Sequence, residues 1–377
     1  MKQEKVYHQY DLTGLGRAQA DELFMRRALD LALLAEGDTS PNPMVGCVLV
    51  RDGDIIGEGW HYRAGEPHAE VMALKDANYR VRGATAYVTL EPCSHFGRVG
   101  PCCQALVRAG VARVVSACTD PNPKVAGAGL RYLRENGVEV TEGVCEAEAL
   151  ALNEKFLFAI THDRPFVSLK YAMTLDGKIA TAAGDSEWVT GEEARREAHH
   201  LRKAHDAVLV GVGTVLADNP ELTTRLVKGR NALRIVLDSR LRLPMTAAVL
   251  NDAAATLIFT GSHYDEDRLA ALQQLANVEV VQVPEQDGHV DLRAVLTMLA
   301  ERKIRSVLVE GGSEVLGSFL DRGFVDRVYA FVAPKLCGGS GLTAVGGRGV
   351  QLMEQSLQLQ DLTVRRLGED VLLTGKV

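Results

Sequence analysis

The sequence of 377 residues lacks several features, and each absence narrows what the chain can be. No apolar run approaches the roughly 20 residues that a bilayer span requires, and the stretch from Met1 to Asp11 is polar, without the apolar segment of a signal peptide. These two absences predict a cytoplasmic protein with no membrane partner. Positive charge is also in short supply: 42 Lys and Arg stand against 49 Asp and Glu, a net charge of -7. The molecule as a whole repels polyphosphate and offers no general nucleic-acid footprint, so any anionic ligand has to be caught by local cations. Aromatics make up only 5% of the chain, and no basic and aromatic stripe, internal repeat, low-complexity tract or heptad seam is present. The 7 cysteines are odd in number and thinly spread, which makes a disulfide framework a poor reading. Metal binding or buried packing remains, and Cys93, Cys102 and Cys103 crowd into one short stretch.

What is present belongs to a globular protein, with 46% hydrophobic and 24% charged residues. At about 150 residues per domain, the length suggests two to three units. From residue 44 to 129, short β-branched runs (45–50, 84–90, 111–117) alternate with helical patterns (68–79, 102–109), which predicts an α/β unit with a largely parallel sheet. Further helices are expected over 126–136 and 146–160, with a strand over 138–140 between them. Residues 162–165, His-Asp-Arg-Pro, read as a breaker. The expected division is an extension over 1–20, a first domain over 21–163 and a second over 164–377. The second repeats the alternation, with strands expected over 166–171, 207–210, 234–237, 256–260, 278–283 and 306–309. Helical patterns over 192–204, 265–275, 292–302 and 313–320 make it another α/β domain.

The chemistry-bearing residues of the first domain are Pro67-His68-Ala69-Glu70, then Glu91-Pro92-Cys93 and Cys102. One imidazole and two thiolates make three good zinc ligands and leave a fourth tetrahedral position for water, the arrangement of a catalytic rather than a structural ion. His68 and Glu70 are two positions apart at a helix start and diverge by about 200° around a regular helix axis, so they do not both ligate. Glu70 is read beside the metal, moving a proton from water to a leaving amine while zinc brings the water pKa toward about 7. Cys102 follows Pro101 at the first turn of a helix, where free amides and the dipole favour thiolate. Cys103, about 100° further round, is a packing neighbour. The plain alternative is a structural zinc, or a core histidine among buried cysteines; a structural ion has no use for a poised acid.

His68-Ala69-Glu70 with Pro92-Cys93 is similar to the signature of the zinc nucleoside and nucleobase deaminases, but eight residues rather than two separate the cysteines. That longer insert, Glu91-Pro-Cys-Ser-His-Phe-Gly-Arg-Val-Gly-Pro-Cys-Cys103, resembles the deaminase domain of the bacterial bifunctional riboflavin-biosynthesis deaminase/reductases. So do Pro41-Asn-Pro-Met-Val-Gly46, Trp60-His61, Gly65-Glu-Pro-His-Ala-Glu70 and Asp120-Pro-Asn-Pro123; the resemblance runs over roughly residues 21–150. It implies a cytidine-deaminase-like three-layer α/β/α fold with zinc on His68, Cys93 and Cys102 and with Glu70 as proton shuttle. It also implies that Asn42, His61, His95, Arg98 and Asn122 line the pocket of a phosphoribosylated pyrimidine. An aminopyrimidine edge needs amide-type partners and a phosphate tail needs local cations such as Arg98. A solvated loop is the plain alternative for His95 and Arg98.

The second domain carries Lys170-Tyr-Ala-Met-Thr-Leu-Asp-Gly-Lys178, Gly184-Asp-Ser-Glu-Trp-Val189, Gly211-Val-Gly-Thr-Val-Leu-Ala-Asp-Asn-Pro220 and Leu308-Val-Glu-Gly-Gly-Ser313. Gly311-Gly312-Ser313, between an apolar strand and a helix, suits a phosphate cradle, and a tight turn fits equally well. No Gly-x-Gly-x-x-Gly opens a βαβ unit, so spacing alone gives no nicotinamide cofactor. Together these strings resemble the reductase domain of the same bifunctional family over about residues 165–377, which implies a dihydrofolate-reductase-like α/β fold using NADPH. The resemblance places Ser186, Arg202, Leu222, Arg225 and Glu310 at the substrate. It places Ala172, Trp188, Thr214, Asp218, Ser239 and the loop through Gly311, Gly312 and Ser313 to Gly317 at the cofactor. Lys170 and Asp176 fall near the hydride-transfer centre. Arg202 and Arg225 make sense as a fork for a ribose 5-phosphate, and Arg240 and Arg242 after Ser239 could hold a 2'-phosphate.

The resulting expectation is a bifunctional homo-oligomeric enzyme. It hydrolyses the 2-amino group of 2,5-diamino-6-(5-phosphoribosylamino)pyrimidin-4-one, then reduces the ribosyl chain with NADPH to 5-amino-6-(5-phosphoribitylamino)uracil. Two rivals are weaker. A polynucleotide deaminase that flips its base is opposed by the acidic net charge. A zinc-stabilised scaffold with a relic second half is opposed by Glu70 and by an intact Lys170, Asp176 and Glu310.

Overall fold

A computed structural model describes residues 7–94, 100–122 and 126–377, and the chain divides after His162 into two units. The first contains α1 (Arg17–Leu33), β1 (Gly46–Arg51), β2 (Asp54–Trp60), α2 (Ala69–Asp76), β3 (Thr85–Val88), α3 (Cys102–Ala109), β4 (Arg113–Ser116), α4 (Ala128–Glu135), β5 (Glu139–Glu142), α5 (Glu146–Leu152) and α6 (Glu154–Thr161). Its strands lie in the order β2-β1-β3-β4-β5. Side chains of β1 alternate between faces, so Cys47 and Leu49 pack with α2, α3 and α4, whereas Val48 and Val50 pack with α1 and α5. The result is a three-layer α/β/α unit.

Several features differ from the sequence reading of this unit. The sheet is mixed, because β1 runs antiparallel to both β2 and β3, and only β3, β4 and β5 are mutually parallel. Strand β2 escapes the β-branched pattern because α2 packs directly on its backbone: a Cβ at Gly59 would sit 2.3 Å from the Ala73 nitrogen. The helix expected over 146–160 is two helices meeting at Asn153, whose side chain exchanges hydrogen bonds of 2.8 Å with the backbone N–H and C=O of Met44. Within the stretch expected as an extension, α1 already begins at Arg17, and Tyr10 and Leu12 pack on the core formed by α1 and β1.

The second unit contains β6 (Phe166–Thr174), α7 (Glu192–Lys203), β7 (Ala207–Gly211), α8 (Val212–Asp218), β8 (Leu233–Leu237), β9 (Thr256–Thr260), α9 (Glu266–Gln273), β10 (Val278–Gln282), β11 (Glu285–Gln286), β12 (His289–Val290), α10 (Leu292–Glu301), β13 (Ser306–Gly311), α11 (Ser313–Asp321), β14 (Arg327–Ala333), β15 (Gln360–Leu367) and β16 (Asp370–Lys376). Nine strands form one sheet in the order β10-β9-β8-β7-β13-β6-β14-β16-β15, parallel except where β16 joins β14 and β15. Every residue of β7 is buried, the continuous apolar run of a strand covered on both faces. Leu209 packs with α10 and α11, and Val208 with α7 and α8.

A buried ion pair ties α1 to β4 of the first unit. Arg113 donates to both oxygens of Asp21 at 2.6 and 2.7 Å, and the Tyr87 hydroxyl donates to Asp21 at 2.8 Å. Burial opposes ionisation of Asp21, but the hydrogen bonds from Arg113 and Tyr87 outweigh it and hold the carboxyl below its ordinary range. A depressed carboxyl stabilises the fold above the unfolded-state value of about 3.9, and that contribution is lost as pH falls through the folded value. Asp21→Asn, which strands the Arg113 charge, is expected to lower unfolding free energy by about 3–5 kcal/mol in urea titrations at pH 7. The gap between variant and wild type should narrow in acid, once the wild-type carboxyl is itself protonated.

Candidate active sites

His68 is the residue before the first turn of α2, with extended backbone (φ -70, ψ 163), so it stands outside the helix and the divergence expected within a regular helix does not apply to it. Cys102 opens α3. Its N–H donates to Cys93 Sγ at 3.4 Å, placing that sulfur at a helix N-terminus. His68 Nδ1 lies 3.5 Å from Cys93 Sγ and 3.3 Å from Cys102 Sγ, and all three donor atoms lie within 4.8 Å of one another. Tetrahedral zinc with Zn–S of about 2.3 Å and Zn–N of about 2.0–2.1 Å spaces such donors about 3.6 Å apart, so these residues fit the ion. The hydrogen bond from Cys102 holds Cys93 down to about 4, with burial opposing and His68 assisting. The same bond, then burial, pushes Cys102 upward, so the two sulfurs share one proton that a cation would release.

Glu70, in the first turn of α2, is 3% exposed. Burial and then the Cys93 charge push its carboxyl up to about 7, while His68 and a hydrogen bond with Cys102 pull the other way. It interacts with all three donors without being part of their cluster. Cys103 is buried in the core below, as its position on the helix predicts.

His61 is 3% exposed, with Nδ1 at 3.2 Å from the Pro67 carbonyl and Nε2 at 3.0 Å from Asn42 Nδ2. A carbonyl only accepts, so Nδ1 carries the proton and Nε2 accepts from Asn42. Burial lowers the His61 pKa, in keeping with this neutral form. The ring meets His68 edge to face at 5.4 Å, so the Asn42–His61 pair packs against the His68 imidazole. Asn122 is half-buried, its N–H donating to Asp120 Oδ1 at 2.9 Å. His95 and Arg98 lie outside the described residues.

Sequence reading missed Glu91. Its buried carboxylate accepts N–H bonds from Asp120 (3.2 Å), Gly127 (2.9 Å) and Gly129 (2.8 Å), and so fastens the Asn122 loop and the start of α4 beside Cys93. A Cβ at Gly129 would lie 1.9 Å from the Pro92 oxygen, which makes glycine obligatory there. The available signal was an acid at the end of an apolar strand immediately before Pro-Cys. Glu91→Gln turns an amide group toward these donors; the expected cost is about 1–3 kcal/mol, read as faster hydrogen exchange at Gly127 and Gly129.

In the second unit, Glu310 on β13 accepts two bonds from Arg202 of α7, at 2.6 and 2.8 Å, and lies 3.7 Å from Lys170 Nζ on β6. Burial opposes its charge, but Arg202 and then Lys170 hold the carboxyl down to about 2. Burial lowers Lys170, with Glu310 acting against it. Arg202 also donates to the Thr223 carbonyl at 3.0 Å, so it does not form a free fork with Arg225, as the sequence reading had it. Arg225 is the exposed member, with Glu221 at 3.8 Å. Leu222 is buried in the core at φ 55. Asp176 accepts from Thr174 Oγ1 (2.5 Å) and from the N–H groups of Cys337 (3.0 Å) and Gly338 (2.6 Å), which fastens a loop.

Gly311 has φ 140, open only to glycine, and a Cβ on Gly312 would press to 3.1 Å from Thr214 Oγ1. Gly312 caps α11 with no side-chain bond, so free amides face a cradle that a Cβ would fill, and this fits a cofactor phosphate. Ser186 Oγ meets Asp218 at 3.5 Å. Trp188 is 58% exposed against Arg195, whose guanidinium lies 4.7 Å from the ring centre. Ala172 is half-buried, and Ser239 Oγ accepts from the Val290 N–H at 3.1 Å, leaving Arg240 and Arg242 exposed beside it.

A second residue that sequence reading missed is His199, 4% exposed, whose Nδ1 accepts the Arg225 N–H at 3.0 Å. Burial first, then Arg202 and Arg225, lower it to about 4, so it stays a neutral acceptor at physiological pH.

Profiles of known families match both halves: "Cytidine and deoxycytidylate deaminase zinc-binding region" over residues 18–118, and "RibD C-terminal domain" over 165–373. Riboflavin biosynthesis protein RibD of Aquifex aeolicus is 46% identical over 360 residues, covering 95% of this chain and 99% of that protein. The chain belongs to the RibD family. RibD of Escherichia coli is 41% identical over 366 residues, covering 94% of this chain and 98% of its own. The crystal structure of a diaminohydroxyphosphoribosylaminopyrimidine deaminase/5-amino-6-(5-phosphoribosylamino)uracil reductase from Thermotoga maritima superposes with a TM-score of 0.86 at 40% identity, covering 96% of this chain and 99% of that one. This RibD-family chain is therefore a bifunctional riboflavin-biosynthesis enzyme, with a zinc-dependent deaminase unit and an NADPH-using reductase unit acting on a pyrimidine. Among the described residues, no helix is long and apolar enough to cross a membrane.

His199→Phe, which removes the acceptor but keeps a buried ring, is expected to raise KM for the pyrimidine several-fold with kcat little changed. His199→Gln, which can still accept, should recover most of the loss.

Proposed function

We propose that this chain deaminates 2,5-diamino-6-(5-phosphoribosylamino)pyrimidin-4-one and then reduces the ribosyl chain of the product. The observation that carries the deaminase half is the convergence of His68, Cys93 and Cys102 beside a buried Glu70 raised to about 7. Bound zinc supplies the Lewis acidity that makes water nucleophilic near neutral pH. His68, Cys93 and Cys102 hold the ion. Glu70 takes a proton from the attacking water and returns it to the departing amine, which leaves as ammonia. Asn42 and Asn122, with His95 and Arg98, orient the ring and the phosphate, and His61 fixes Asn42 and His68.

In the reductase half, NADPH supplies the hydride that C1 of the opened ribosylamine receives. Lys170, held by Glu310, gives a proton to the ring oxygen as the C1–O bond opens; Glu310, Ser186 and Leu222 frame the substrate. Arg225 takes the 5-phosphate, and Arg202 keeps Glu310 and the Thr223 backbone in place. Gly311, Gly312 and Ser313 cradle the cofactor pyrophosphate, Thr214 and Asp218 line its channel with Ala172 and Trp188, and Ser239 with Arg240 and Arg242 receives its 2'-phosphate. Asp176 positions the Cys337–Gly338 turn. The enzyme works in the cytoplasm, where its seven cysteines, none paired in a disulfide, stay reduced. It works as a homo-oligomer, which would cover exposed apolar side chains such as Leu352, Met353, Leu362 and Val364.

Glu70→Gln is expected to cut ammonia release by about 10²–10⁴ while zinc per chain and NADPH consumption with the deaminated pyrimidine are retained. Lys170→Met should do the reverse, sparing ammonia release and abolishing NADPH consumption. Undiminished release from the first variant, or unchanged reduction by the second, refutes the corresponding assignment.

A further inference from the structure

The first unit holds a cavity of about 730 Å³ that none of the residues assigned above line. Its walls are Val71 and Leu74 of α2, Ala105 and Ala109 of α3, and Val81; around them stand Arg51, Arg80, Arg82 and Arg108, with Tyr79. Helices α2 and α3 present His68 and Cys102 at their N-terminal ends, whereas Arg108 and the 79–82 segment lie at or beyond their C-terminal ends. Val71, Gly100 and Ala105 bring one wall of the cavity within three residues of the metal-donor positions, whereas Arg80, Arg82 and Arg108 stand toward the C-terminal ends of the two helices. No carboxylate lines it. Among the described residues, the four guanidiniums have no carboxylate partner; Arg51 donates to the Arg80 carbonyl at 3.2 Å. In a chain of net charge -7, four cations gathered without an acid form a local anion trap.

The aromatic at the rim is held in an uncommon conformation. Asn78 and Tyr79 both have left-handed backbone, at φ 50 and 56, with the Tyr79 N–H bonded to the Leu74 carbonyl at 2.8 Å. Asparagine often ends a helix this way, but a bulky residue does so rarely. The consequence is a ring left 57% exposed at the mouth of an arginine-lined, apolar-walled cavity. Cations for a phosphate, a face for stacking and a hydrophobic floor are the three elements that recognise a nucleotide-like molecule. The volume lies within the range of small-ligand pockets.

We propose that this cavity is a second ligand site that takes a phosphomonoester carried on a planar heterocycle, the chemical class to which the enzyme's own substrate and product belong. The phosphate sits among Arg51, Arg80, Arg82 and Arg108, and the heterocycle stacks on Tyr79 over Val71 and Leu74. Occupancy would bridge the C-terminal ends of α2 and α3, the two helices whose other ends carry the metal ligands.

The test uses the zinc-loaded full chain, with flavin mononucleotide as fluorescent probe and saturating NADPH in the reductase site. Expected are saturable quenching at one site per chain, at least tenfold weaker binding of riboflavin, and displacement by inorganic phosphate only at much higher concentration. Arg80→Glu with Arg82→Glu should weaken binding at least tenfold. Tyr79→Gly, which relieves the left-handed backbone and so keeps the loop, should weaken it several-fold and remove most of the quenching. Both variants should retain deaminase and reductase rates measured without the probe. Unchanged titrations in these variants, or equal binding of riboflavin, overturn the proposal. So does a fall in Tm on charge reversal with the titration intact, since the arginines would then serve only to offset the two helix ends.

Discussion

Two helices that begin at the same place hold the first site together. The residue before α2 is His68 and the first residue of α3 is Cys102, so the positive ends of both helices face the same small volume. That arrangement lets two sulfurs and an imidazole nitrogen stand within 4.8 Å of one another, a crowding of lone pairs that makes chemical sense around a cation. The surrounding polar contacts serve this geometry. The Asn42–His61–Pro67 chain fixes the approach to His68, and Glu91 gathers three amides around the segment that presents Cys93.

The two halves use burial in opposite directions. Burial and then a negative sulfur push the Glu70 carboxyl up to about 7. Glu310 is just as deeply placed, but two cations lean on it, and it stays ionised down to about pH 2. The first carboxyl is available for proton transfer and the second for holding Lys170 and Arg202 in place. The difference comes from neighbours supplied by other elements, since both side chains are of one type.

Much of the active chemistry was legible in the chain itself. His-x-Glu and Pro-Cys with a distant second cysteine announced a metal site, because few other purposes need those residue types so close together. Cys102, first in its helix, joins the His68–Cys93 cluster, and Cys103, about 100° further round, packs in the core as its helical angle implies. Strands such as β7 and β9 were plain because their central residues form continuous apolar runs, as expected of strands buried on both faces. By contrast, α1 hides its helix: Asp21, one of its buried positions, is charged, and its partner Arg113 is 92 residues away. Strand β15 was invisible because almost every residue on it is exposed, so neither face carries a pattern.

The sequence by itself determined the residue chemistry and the α/β character, since ligand types, helix-start signals and apolar runs are local properties. Only the tertiary structure decided that the first sheet is mixed, that Arg202 is spent on Glu310, that Asp176 fastens a loop, and that Glu91 and His199 each hold backbone amides at the sites. Each of these depends on which distant group arrives within about 3 Å, and hydrogen bonds and burial are set by that arrival, which no short-range pattern encodes.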